Sequence, residues 1–149
     1  QFKGAHLNGA HLNGAHLNGA TFENANFENS NFEYVHLKGA QFKDAHLEGA
    51  HFYGAQLECA SFNGAQLECA SFKGVHFKGV TFKGAQLKGA HFYCASLECT
   101  KFENDHLEGA SFFGDNFTYA NFRGAHLKGA NFNCTNFDCA HFKYTTANV

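Results

Sequence analysis

The side chains that could carry chemistry in this chain are thiols, imidazoles and a pair of carboxylates, and their numbering is regular. All six cysteines, Cys59, Cys69, Cys94, Cys99, Cys134 and Cys139, have numbers ending in 4 or 9, and all 11 histidines have numbers ending in 1 or 6. Thiols could form disulfides or bind zinc, which needs four convergent ligands at a structural site. Histidines could bind a metal weakly or titrate near neutrality, where full protonation would take the formal charge from −2 to +9, since −2 + 11 = +9. Asp105 and Asp115, ten residues apart, raise the question of paired acid and base. Whether any of these groups can act together depends on the elements that position them.

Those elements follow from the period of five. Cut from residue 1, the sequence reads QFKGA HLNGA HLNGA HLNGA TFENA and runs without insertion to HFKYT at 141–145, which makes 29 units. The second residue of every unit is Leu or Phe, the fifth is mostly Ala, and all 16 glycines stand fourth. Polar residues fill the first and third places. A period of five fits neither the 3.6 of a helix nor the 2 of a long strand, so each unit is a short extended piece followed by a corner. The second and fifth side chains then point inward, and burial accumulates only when coil stacks on coil.

The number of units per coil is legible from the inward residues, because stacked positions should share a character. Four per coil sorts them. The first column is Phe2, Phe22, Phe42, Phe62, Phe82, Phe102, Phe122 and Phe142, and the third is Phe32, Phe52, Phe72, Phe92, Phe112 and Phe132 after Leu12. Leucine dominates the second and fourth columns. Three units per coil would scramble this alternation.

The pattern, seen in Ala5-His6-Leu7-Asn8-Gly9 and again in Ala120-Asn121-Phe122-Arg123-Gly124, resembles the pentapeptide-repeat proteins over residues 1–145. The resemblance implies an all-β fold, a right-handed quadrilateral β-helix with four pentapeptides per 20-residue coil. About seven coils at ~4.8 Å each make a rod on the order of 35 Å long with no internal cavity. Residues 1–145 form a single domain in this reading and 146–149 a short C-terminal tail. Histidine, where the family prefers Asp or Asn before the central residue, is the main departure.

The coil decides which chemistry is open. Stacked positions lie 20 residues apart, and no two cysteines have that separation. A disulfide needs Cα atoms about 4.4–6.8 Å apart, so six unbridged thiols are predicted, favouring a reducing compartment or cross-links between molecules. His16 falls on His36 and His106 on His126, at ladder distance. Asp105 and Asp115 occupy inward corner positions of one coil, where each carboxylate is expected to accept hydrogen bonds from turn amides. A filled rod offers no substrate pocket, so neither catalysis nor a cofactor or metal is expected.

The outward third-place residues form stripes. Lys3, Glu23, Lys43, Asn63, Lys83, Glu103 and Arg123 make a mostly alternating, self-neutralising ladder on the first wall. Tyr53, Lys73, Tyr93 and Phe113 on the third wall read as a lateral interaction patch. The second wall carries Glu28, Glu48, Glu68 and Glu108, interrupted by Lys88.

The functional expectation is a non-enzymatic structural or scaffolding solenoid that stacks end to end, an arrangement able to extend into filaments, through Phe2, Leu7, Leu12 and Leu17 at one end and Leu127 at the other. The alternative is a protein-binding module. The resemblance extends that alternative to mimicry of duplex DNA for binding a type II topoisomerase such as gyrase, which would want a denser acidic face than this one. Partners are thus the chain itself or another protein. The mixed charge argues against nucleic acid, and no apolar run approaches a membrane span. Without methionine the chain reads as a processed product or part of a longer one.

Overall fold

At every fourth position of the repeat the backbone enters the left-handed region. The 16 glycines there have φ between 62 and 74°, and the remaining units place Asn, Asp, Cys or Tyr in the same conformation, as at Asn24 (φ 55°), Asp44 (φ 53°), Cys99 (φ 57°) and Tyr144 (φ 63°). A positive φ at the third residue of a four-residue turn is the type II signature. The turn closes when the fifth-place amide donates to the second-place carbonyl, as Ala65 does to Phe62 at 2.9 Å. One such corner every five residues coils the chain.

The computed structural model describes residues 1–147. First-place residues form parallel bridges at a constant offset of 20, as in Gln41↔Ser61, His46↔Gln66, His51↔Ser71 and His36↔Gln56, and these make four ladders, one per wall. Three backbone bonds per unit tie successive coils together. Phe42 N–H donates to Ser61 O at 2.7 Å, Gly64 N–H to Lys83 O at 3.0 Å, and Ser61 N–H back to Ala40 O at 2.9 Å. The third-place amide is left over. Where the first residue is Asn, its side chain accepts that amide two residues on, as Asn26 does from Glu28 at 3.0 Å and Asn31 from Glu33 at 2.8 Å; an Asx turn thus completes the unit.

The core is two opposed phenylalanine stacks. Along the first column the rings lie parallel at 4.6 to 5.2 Å from Phe2 to Phe142. Along the third they stack at 4.8 to 5.0 Å from Phe32 to Phe132. The two columns meet edge to face, as Phe42 meets Phe52 at 6.3 Å and 90°. Both arrangements are favoured by the ring quadrupole. Polar fifth-place residues are accommodated by borrowing carbonyls: Ser30 Oγ donates to Leu7 O at 2.9 Å and Thr100 Oγ1 to Phe77 O at 3.3 Å.

Two segments extend beyond single bridges. Strand β1, His91–Tyr93, pairs in parallel with β2, Ser111–Phe113. At the last coil, the bridge His126↔Thr146 carries the second ladder into the segment that the repeat count assigns to a tail; Asn148 and Val149 lie outside the described residues.

The corner conformation has a direct test. A Cβ on Gly84 would meet nothing within 4 Å, yet φ there is +74°, so Gly84→Ala isolates the backbone cost of left-handed geometry. We expect a loss of about 1–2 kcal/mol, read as a lowered urea midpoint with an unchanged slope.

Candidate functional site

The third wall places the expected aromatic stripe on one face. Tyr53 and Phe113 are 41% and 48% exposed, and the Lys73 ammonium stands 6.0 Å from the Tyr53 ring centroid. Tyr93 is half-buried. Its ring stacks on His91 at 5.6 Å and its hydroxyl is 3.4 Å from His91 Nδ1. Tyr34, 56% exposed, joins the stripe by packing edge to face on Tyr53 at 5.2 Å. Sequence reasoning missed Tyr34 because it stands fourth in its unit rather than third, although it lies on the same wall one coil away.

Asp115 lies beneath this stripe. Its Oδ1 accepts the Ala95 N–H at 2.7 Å, so Ala95 does not make the turn bond to the second-place carbonyl that Ala65 makes. The corner opens there, at the end of β1. Asp105 does the same to Ala85 at 3.0 Å, but Ala85 keeps its turn bond to Phe82 at 2.6 Å. The expected amide bonds are therefore present, one per carboxylate, while both Oδ2 atoms are buried without a partner. Burial holds the Asp105 carboxyl up at about 9 against the pull of the Ala85 and Gly84 amides, and Asp115 at about 7 against that of Ala95. Asp105 thus stays protonated at neutral pH. Each aspartate is engaged separately with the backbone of the preceding coil.

The first wall pairs a largely exposed Lys3 with a partly buried Glu23 at 3.3 Å, a contact worth little where solvent reaches it. On the second wall, Glu68, Gln86, Lys88, His106, Glu108 and Lys128 line a shallow groove of about 390 Å³. Lysine follows each of the last two glutamates there, so the acidic face is broken. All six thiols are free and exposed. The place stacked against Cys59 is Gly79, whose added Cβ would lie 3.4 Å from the sulfur, and the place stacked against Cys94 is Gly114. The histidine pairs stack as expected, His16 on His36 at 4.3 Å and His106 on His126 at 4.6 Å.

Among the proposed end residues, Phe2 is 37% exposed and Leu7, Leu12 and Leu17 are partly buried. Leu127 differs from the expectation. It is only 5% exposed, because the chain continues over it and its amide donates to Thr146 O at 2.6 Å. The apolar residues partly uncovered in the last described coil are Phe132, Phe137 and Phe142. Among the described residues no helix is long and apolar enough to cross a membrane.

Comparisons with known proteins agree with this architecture. Residues 1–72 match the family described as pentapeptide repeat region, and residues 70–109 and 110–146 match pentapeptide repeats of eight copies. No curated protein sequence matches the chain. The crystal structure of HetL, a pentapeptide repeat protein involved in heterocyst differentiation regulation from the cyanobacterium Nostoc sp. strain PCC 7120, is similar with a TM-score of 0.62. The identity is 24%, over 93% of this chain and 68% of that one. Trypsin-treated QnrB1, a plasmid-mediated fluoroquinolone resistance protein, is similar with a TM-score of 0.54 at 19% identity, over 96% of this chain and 89% of that one. With its five-residue unit, its 20-residue coil register and family matches running over residues 1–146, the chain belongs to the pentapeptide repeat family.

Proposed function

We propose that this chain is a non-catalytic interaction solenoid whose third wall binds another protein through Tyr34, Tyr53, Lys73 and Phe113. The carrying observation is the aromatic stripe itself, three rings at 41 to 56% exposure around one lysine on a wall otherwise built from polar side chains. Aromatic anchors beside a cation are the composition that dominates protein interfaces. Among the described residues the interior is packed with Phe, Leu, Ala and Val side chains. HetL and QnrB1 have different roles on this one fold, so the fold alone selects neither. DNA mimicry is the weaker reading here, since Lys88 and Lys128 interrupt the acidic wall.

The test compares three forms of the chain as bait: unaltered, Tyr53→Ser with Phe113→Ser, and a first-wall control, Lys43→Ser with Lys83→Ser. A partner held by the first and third forms should bind the second about tenfold more weakly for each aromatic removed. Equal binding by all three forms would sink the proposal.

End-to-end association is a second reading, favoured by the polarity of the ladders. At one end the Phe132, Phe137 and Phe142 amides point along the axis with no partner among the described residues, while at the other the first-place carbonyls of His6, His11 and His16 point the opposite way, also without a backbone partner there. Donors facing acceptors is the head-to-tail arrangement that grows without closing. Sedimentation velocity separates the two readings, because stacking gives concentration-dependent rods without any partner.

A further inference from the structure

On the second wall the stacked histidines stand beside a carboxylate, and this combination occurs once among the described residues. His106 Nδ1 lies 3.3 Å from Glu108 Oε1, the His126 ring stacks 4.6 Å from the His106 ring, and ligand atoms of all three residues lie within 4.8 Å of one another. The rest of the chain supplies each half separately. His16 and His36 stack at 4.3 Å, but their third-place neighbours are Asn18 and Lys38. His46 meets Glu48 at 3.6 Å, but Asn26 and Gln66 flank it in its ladder.

We infer that His106, His126 and Glu108 form a divalent metal site on the outside of the coil, taking a borderline ion such as zinc, cobalt or nickel with water completing the shell. Two imidazoles and a carboxylate are the donor set that such ions accept, and three protein ligands leave the site open. Ligand atoms around a tetrahedral ion at about 2.0–2.2 Å sit roughly 3.3 Å apart, so the two rings and the carboxylate must draw inward. They have room to do so. The His106 side chain is 41% exposed, the groove beside it holds about 390 Å³, and no core residue needs to shift. In the metal-free chain Glu108 stands between Lys88 and Lys128 in its column, and these cations oppose a metal ion and keep the affinity moderate.

Cobalt titration of the full chain, by calorimetry and visible absorption with a non-chelating reductant present, tests this. The expected result is one ion bound with ligand-field bands and no near-ultraviolet sulfur-to-metal band. His126→Gln and Glu108→Gln should each weaken binding about tenfold or more, while His36→Gln and His46→Gln leave it unchanged. Glutamine already occupies the His46 and His126 ladder at Gln66 and Gln86 and the His36 ladder at Gln56, so the histidine variants keep the fold. Undiminished binding in His126→Gln, equal loss in His36→Gln, binding carried by the sulfur band, or no binding at millimolar cobalt would each overturn the site.

Discussion

Replacing Asp105 with alanine should make the protein more stable at neutral pH, by roughly 2–4 kcal/mol. The carboxyl sits in a column that is otherwise alanine from Ala5 to Ala125, with one oxygen accepting the Ala85 amide and the other unpartnered, and burial raises its pKa to about 9. Between the ordinary carboxylate value near 4 and that raised value, the folded chain holds a proton that the unfolded chain has released. Folded stability therefore falls as pH rises through this window, by about 1.4 kcal/mol per unit for this group. Alanine removes the slope. It orphans nothing, because Ala85 retains its bond to Phe82. Denaturation midpoints at pH 5, 7 and 9 should decline throughout in the unaltered protein, whereas Asp105→Ala and Asp105→Asn should keep only the decline between pH 5 and 7 that Asp115 causes and be flat from pH 7 to 9. Parallel declines in all three would mean that the carboxyl is hydrated and ionised. Asp115, held up at about 7, should add a similar decline that ends earlier.

The second large effect belongs to Phe82→Ala. Phe82 stacks between Phe62 and Phe102 at 5.2 Å on each side and meets Phe72 and Phe92 edge-on. Its removal should cost about 3–5 kcal/mol, since neighbours fixed in ladders cannot collapse into the space. In a stack where each coil touches only its neighbours, a weak coil at the middle also uncouples the two halves. Calorimetry should then resolve two transitions where the unaltered protein has one. Phe142→Ala, at a ring already 39% exposed, should stay within about 1 kcal/mol of the parent. A single unshifted transition in Phe82→Ala would show that stability lies in the ladders rather than in the aromatic columns.

The coil register was open to reading because side chains in one column touch, so Phe and Leu had to sort by fours. For the same reason His106 and His126 could be placed together from numbering alone. What escaped depended on the third dimension within a unit. Tyr34 reaches Tyr53 from a fourth-place corner, a direction that the in-out alternation does not encode. Asp115 was expected to bond a turn amide, but that it would take the amide away from its own turn, opening the corner at Ala95, depends on the depth of the carboxylate. Counting repeats to 145 makes Leu127 an end residue, whereas hydrogen bonding is indifferent to the repeat and continues to Thr146.

The constant offset of 20 residues between bridged positions sets the lengths by which such a gene can lengthen without losing its surface. Duplicating 20 residues adds one storey and leaves every stripe aligned above and below the insertion. Duplicating five is just as easy on the backbone, since each unit carries its own corner, but it turns everything downstream by a quarter revolution. Phenylalanine columns would then run into leucine columns, and Tyr53 would part from Phe113 onto an adjacent face. The coil is therefore the quantum of tolerated growth for this surface, although the pentapeptide is the quantum of the fold.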